Sequence, residues 1–316
     1  MKHLSDQFLR VLVICALAPL SIAATADDTI SRATGLARAG KVKEAETLLR
    51  SAVTEHPDSA PLHGALGKLL FEENNYTESV QELNQAEQLD PDSRQYNMLL
   101  AAVLLAARRD GVAKNFLLAI EPRFKQYPEF HYSLGLAYYY LTQIAKSEAE
   151  LETSLKIDPT MDRAKFLLSA CYASEGEFAK AATTLRQLTA AHPRNVIYWS
   201  SLADVLRQKD PADRAEALRA CRRALAIQRG DPHTQFVMAT IFLESGDYKD
   251  ARGLLEHLES ISPKELEAHV ALARVYSRLG EPELARKETQ IVNQLRADED
   301  SENPQGMQKP HQAEQR

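Results

Sequence analysis

The chain has 316 residues, of which 44% are apolar and 26% charged, with 12 Gly, 14 Pro and a formal charge of −6. This is the composition of a folded globular chain, and length alone leaves open two ordinary domains or one elongated repeat array. A mild negative charge without a sustained basic stripe excludes nucleic acid as the main ligand, because phosphate binding needs clustered Lys and Arg.

The N-terminus reads as a targeting signal. Lys2 and Arg10 flank a short start, and Val11 to Ala24 then runs apolar. Ala24-Thr25-Ala26 fits a small-x-small cleavage site, and Ser21-Ile22-Ala23 is a second option. The apolar run is shorter than the ~20 residues that span a bilayer comfortably. Residues 1–26 are therefore expected to be a signal peptide on an exported protein, periplasmic or secreted, with no spanning segment once it is removed. Retention as an anchor is the alternative. Cys15 lies inside the apolar run and lacks the small residues a lipid attachment site wants before it. Cys171 and Cys221 fall on predicted helices and are expected to be core thiols rather than a disulfide.

From there the chain repeats. Small residues stand at Ala33, Gly67, Ala101, Gly135, Ser169, Ala203, Ala239 and Ala273, at gaps of 34 residues with a single gap of 36. One residue before each stand Arg32, Leu66, Leu100, Leu134, Leu168, Leu202, Met238 and Leu272. Three residues after each stand Leu36, Leu70, Leu104, Tyr138, Tyr172, Leu206, Phe242 and Tyr276. Within one copy Leu168, Ser169 and Tyr172 share a helical face, where a small residue lets a neighbouring helix approach. Gly176 follows, where a helix end wants positive φ. Phe178, Ala181, Leu185 and Leu188 then form a second apolar face, and Pro193 closes the unit. Each unit is thus two helices joined by a tight turn, and stacking neighbours supply the shared core.

The pattern resembles the tetratricopeptide-repeat family. Ala45, Leu49, Ala52 and Pro57 match the second half of the first unit; Ser79, Leu83, Ala86 and Pro91 match that of the second. Ser147, Leu151, Ser154 and Pro159 do so in the fourth, and Ala251, Leu255, Leu258 and Pro263 in the seventh. Trp199 takes the aromatic place at the start of the sixth unit's first helix. The resemblance implies an all-α, right-handed superhelical solenoid of about eight helix pairs, at 26–59, 60–93, 94–127, 128–161, 162–195, 196–231, 232–265 and 266–296.

The departures carry their own expectations. The third unit has Pro122 and Pro128 instead of a closing Pro at the usual spacing, so its second helix should end early or kink. The sixth holds two extra residues around Asp210-Pro211, which lengthens a turn. Arg32 in the first unit and Thr289 in the eighth suit terminal caps facing water. Residues 297–316 lose the apolar rhythm and read as a disordered polar tail.

No catalytic constellation stands out. His56, His63, His131, His192, His233, His257, His269 and His311 show no metal-like spacing, and there is no Gly-rich phosphate loop. No catalytic residue, metal or cofactor is expected. The resemblance implies that the first helix of each pair lines a concave face. A partner would then meet the side chains three residues before, one after and four after each small residue. In units two to seven this face includes Phe71, Met98, Leu105, Tyr132, Leu136, Tyr139, Phe166, Phe236 and Leu243. Lys68, Arg163, Asp204, Arg207, Thr240 and Arg274 supply polar accents. Such a groove suits an amphipathic helix or extended segment of an envelope or secreted protein. The competing account packs several of these aromatics on adjacent helices. A clamp for a terminal carboxylate, held by some members, finds Gly64, Lys68, Met98 and Ala102 here, of which Lys68 alone could serve. The expected function is a non-catalytic scaffold or adaptor. Alternatives are an accessory subunit of an envelope enzyme or export complex, a structural homo-oligomer, and a hydrolase or transferase with a site in the third unit or at 209–213.

Overall fold

A computed structural model of the chain describes residues 26–302, with side chains to residue 298. The expected signal therefore lies outside the described residues except for Ala26, which is helical and buried. The described residues form helix pairs: α1 (26–38) with α2 (Val42–Glu55), α3 (Ala60–Glu72) with α4 (Tyr76–Leu89), α5 (Arg94–Ala106) with α6 (Asp110–Phe124), and α7 (Pro128–Tyr140) with α8 (Ile144–Ile157). They continue with α9 (Asp162–Ser174) and α10 (Phe178–Ala191), α11 (Val196–Lys209) and α12 (Arg214–Ile227), α13 (Pro232–Ser245) and α14 (Tyr248–Ile261), and α15 (Leu266–Leu279) and α16 (Pro282–Glu302). The chain is an all-α helical repeat protein divided into two compact units, with the division at Ala164–Lys165 inside α9. No helix among the described residues is long and apolar enough to cross a membrane.

Each pair closes through small residues on both helices. Ala33, Gly67, Ala101, Gly135, Ser169, Ala203 and Ala239 of the first helices are buried, and Ala45, Ser79, Ala113, Ser147, Ala181, Ala217 and Ala251 of the second are fully buried. Where the first helix carries Gly, the second carries Ser. The Ser79 hydroxyl donates to the Gly67 carbonyl at 2.7 Å, and that of Ser147 to the Gly135 carbonyl at 2.8 Å. A Cβ at Gly67 would stand 2.7 Å from Leu83 Cγ. Leucines fill the remaining faces, among them Leu62, Leu83 and Leu151 in the first unit and Leu206 and Leu255 in the second, each without exposed surface. Burial of that kind stabilises by roughly 1.5–3 kcal/mol per side chain.

The turn inside each pair has one geometry. The amides of Lys41, Asn75, Arg109, Gln143, Glu177, Asp247 and Glu281 donate five residues back to the carbonyls of Leu36, Leu70, Leu104, Tyr138, Tyr172, Phe242 and Tyr276. This satisfies helix-end carbonyls and requires one left-handed residue. Gly40, Gly176, Gly246 and Gly280 supply it at φ +78° to +85°, whereas Asn74, Arg108 and Thr142 adopt it at φ 60°, 56° and 57°. The sixth pair is the exception. Its two extra residues put Asp210 in an extended conformation and form a short helical turn at Pro211–Asp213. Asp210 caps the Ala212 amide at 2.7 Å, and Lys209 pairs with Asp213 at 2.9 Å.

The turn between pairs is braced by a polar side chain near the start of the following helix. His63, Asn97, His131, Trp199, Gln235 and His269 each donate to the carbonyl six residues earlier, those of Pro57, Pro91, Lys125, Pro193, Arg229 and Pro263, at 2.7–3.4 Å. In three repeats the other imidazole nitrogen meets a carboxylate of the second helix at 2.7 Å: His63 with Glu82, His131 with Glu150, and His269 with Glu288.

Two expectations are corrected. α6 neither ends at Pro122 nor falls short, but runs through it to Phe124. The missing N–H belongs to the last turn, the i−4 carbonyl it leaves free is that of exposed Leu118, and buried Phe124 anchors the end. At residue 297, where a disordered tail is expected to start, α16 instead continues to Glu302, with Gln294 donating to Asp298 at 2.8 Å; residues 303–316 lie outside the described residues.

Two glycine substitutions should move stability in opposite directions. Thr142→Gly removes a β-branched side chain from a left-handed turn and should raise the denaturation midpoint, by about 1 kcal/mol in stability. Gly67→Ala drives a Cβ into Leu83 and should lower stability by about 1–3 kcal/mol. Urea unfolding followed by circular dichroism reads both.

Candidate functional site

The first helices of the first three repeats enclose a cavity of ≈ 560 Å³ in the first unit. Its volume exists because the facing side chains are short. Ala33, Thr34 and Ala37 come from α1, and Gly64 and Ala65 from α3. Ile30, Leu49 and Leu69 add apolar lining, and Gln95 and Tyr96 at the start of α5 close one wall. Tyr96 lies over the Gly64 backbone so closely that a Cβ there would collide with its ring. Burial, and then the charge of Asp90, raise the Tyr96 hydroxyl above its ordinary pKa, so it stays neutral.

The rim carries both signs of charge. Arg38 and Lys68 are exposed, with Lys68 only 3.8 Å from Glu72 in a loose surface pair. Glu73 is drawn to Lys43 at 3.4 Å. An apolar floor with a mixed-charge rim can bury one or two apolar side chains of a peptide while pairing its polar groups.

Of the residues expected from the sequence, Lys68 lines this cavity. Ile30, Thr34 and Ala37, which dominate its α1 wall, were missed. They stand three before, one after and four after Ala33, the same offsets that define the expected face from the second repeat onward.

The remaining expected residues divide by environment. Leu105 and Leu243 are 4% and 7% exposed, which corrects their assignment to the groove. Leu105 packs in a cluster with Ala137, and Leu243 in one with Ala271 and Leu272, so the next first helix covers each of these compact aliphatic side chains. Phe71, Met98 and Leu136 are half-buried against the core of the first unit, with the Phe71 ring 6.0 Å from that of Tyr76. On α7, Tyr132 lies under the Arg163 guanidinium at 4.6 Å, and Tyr139 meets Tyr140 edge-on at 6.1 Å. Burial raises the Tyr132 hydroxyl pKa, against the opposing pull of Arg163.

In the second unit Phe166 tilts against Tyr198 at 5.3 Å, and Phe236 packs on the core around Leu255. Arg207 is committed to Asp204 at 2.9 Å and Glu244 at 2.8 Å, tying α11 to α13. Thr240 spends its hydroxyl on the Phe236 carbonyl at 2.9 Å. Arg274 is exposed and lines a second cavity of ≈ 470 Å³ with Ala273, Ser277 and Arg278.

Other reactive groups are absorbed by structure. Cys171 and Cys221 are buried thiols, and burial, with Asp204 adding to it, pushes Cys221 up to about 12. His269, Glu288 and Glu259 bring ligand-type atoms within 4.8 Å of one another, but both His269 ring nitrogens are already hydrogen-bonded.

The family model described as tetratricopeptide repeat matches residues 36–103, 141–205 and 242–302. A solved tetratricopeptide repeat protein from Parabacteroides merdae is 16% identical, with a TM-score of 0.64 over 79% of this chain and 98% of its own. A chain of the APC/C hetero-tetramer Cut9-Hcn1 is 17% identical at a TM-score of 0.64, covering 77% of this chain and 48% of that one. These likenesses show the fold. No curated protein matches the sequence.

Proposed function

The chain belongs to the tetratricopeptide-repeat family, a fold that serves in general as a protein-binding scaffold, and from that premise we propose that it holds a segment of a protein partner in the cavity over α1, α3 and α5. The observation that carries this reading is the cavity itself: an apolar floor of small residues flanked by Arg38 and Lys68, which make no close ion pair across it. A partner helix or extended strand would seat apolar side chains on Ala37 and Ala65 and meet the rim with its own charges. Affinity would come from the few buried anchors, with the rim tuning specificity.

The N-terminal pattern of Lys2, Arg10 and the apolar stretch to Ala24 supports placing this scaffold outside the cytoplasm, periplasmic or secreted, with an envelope or secreted protein as partner. The role is non-catalytic. Two features that had suggested a hidden enzyme site have structural explanations in the continuous α6 and in the self-capped turn at Pro211–Asp213.

Filling the cavity tests this directly. Ala65→Trp should weaken capture of a partner from envelope extract at least roughly tenfold, the scale of losing a buried anchor. Val112→Trp, on the exposed face of α6, should leave capture unchanged. Equal capture by wild type and Ala65→Trp, with helical content intact, would place binding elsewhere.

A further inference from the structure

The His–Glu braces have a property that their Asn, Gln and Trp counterparts lack: they need an extra proton. In the eighth repeat His269 and Glu288 are 1% and 2% exposed. The Pro263 carbonyl can only accept, so His269 Nε2, 3.0 Å away, carries a hydrogen. The 2.7 Å contact between Nδ1 and Glu288 Oε2 needs a second hydrogen, on the nitrogen or on the carboxyl. The closed site thus holds one proton more than a neutral imidazole beside a carboxylate. The charged groups facing the ring are both acidic, Glu288 from α16 and Glu259 from α14, and both favour keeping that proton.

We propose that the buried His269–Glu288 pair is a proton-dependent latch that holds α16 against α15 and loosens it as the pH rises. Loss of the proton leaves one ring hydrogen for two buried acceptors, so either the loop carbonyl of Pro263 or the carboxylate on α16 loses its donor. Among the described side chains of α16, Glu288 and Val292 are the buried ones.

The direction follows from linkage. Burial pulls the His269 pKa down, but the hydrogen bonds to Glu288 and Pro263 and the charges of Glu288 and Glu259 outweigh it, and the folded imidazole titrates above its ordinary 6.5. The proton is held more tightly when α16 is docked. The stabilisation is therefore complete below about 6.5 and is lost as the pH climbs through the raised folded value. Between those limits the opening constant of α16 rises by up to roughly tenfold per pH unit.

The same geometry recurs at His131, where the hydrogen bond to Glu150 chiefly raises the pKa, with Glu121 of α6 adding to it, but these side chains are 12% and 26% exposed. In the seventh repeat Gln235 takes the place of the bracing histidine. Gln235 donates to the Arg229 carbonyl at 3.4 Å and its side-chain oxygen accepts from His257 at 2.8 Å.

Amide exchange of the full chain between pH 5.5 and 9, corrected for intrinsic rates, tests the latch. In wild type, protection of α16 should fall by up to roughly tenfold per unit above about 6.5. In His269→Gln, which keeps a donor for Pro263, it should be flat. A flat wild-type profile, or an equal slope in the variant, overturns the proposal. ¹⁵N NMR titration of the wild-type imidazole gives a second reading that does not depend on the variant's folding: a midpoint above 6.5 with both nitrogens protonated near neutrality is expected, and a midpoint at or below 6.5 overturns it.

Discussion

The second helix of a repeat approaches the first through small residues, and the rest of the structure is arranged around that contact. Small residues must occupy both sides of that contact. The pairing of Gly67 with Ser79 and Gly135 with Ser147 shows the constraint at its tightest, because Leu83 and Leu151 close on the space each glycine leaves while the serine hydroxyl bonds the glycine's carbonyl. Elsewhere Ala or Ser169 takes the first position and Ala the second, as with Ala101 and Ala113, both without exposed surface. Once the helices are this close, Leu83 and Leu151 can be fully enclosed, and the turn joining the helices has to be short. The left-handed residue and the bond from five residues on follow from that shortness.

The cavity in the first unit arises from the same economy of side-chain size. On α1 and α3 the small residues extend past the packing face to Thr34, Ala37, Gly64 and Ala65, so neighbouring first helices leave a trough between them instead of filling it. On α7 the corresponding faces carry Tyr132 and Tyr139, and these rings cover helix surface and are covered in turn, Tyr132 by Arg163. Binding capacity and packing thus compete for the same positions, and residue size decides which prevails in each repeat.

This competition also explains what could be read from the sequence. The repeat was legible because its small residues admit few substitutes, and the helix pairs, their turns and the irregular sixth pair all follow from their spacing. The groove was legible only as a set of positions. Leu105 and Leu243 occupy the same offset as half-buried Phe71 and Tyr139, but the next helix covers the aliphatic pair, a distinction set by neighbours that the offset does not encode. The His–Glu pairs were invisible for another reason. Their members sit 19 residues apart on the two helices of one repeat, a separation that resembles no metal or catalytic motif and becomes a contact only when the helices stack. Pro122 misled because its position in the last exposed turn of α6, not its presence, determines its effect.

A partner held in the trough between α1, α3 and α5 lies beside Thr34. A photo-reactive side chain placed at Thr34, compared with one at Val112 on the exposed face of α6, tests it most directly. Illumination in envelope extract should crosslink a partner segment from position 34 and not from position 112. Crosslinking from position 112 alone would contradict it.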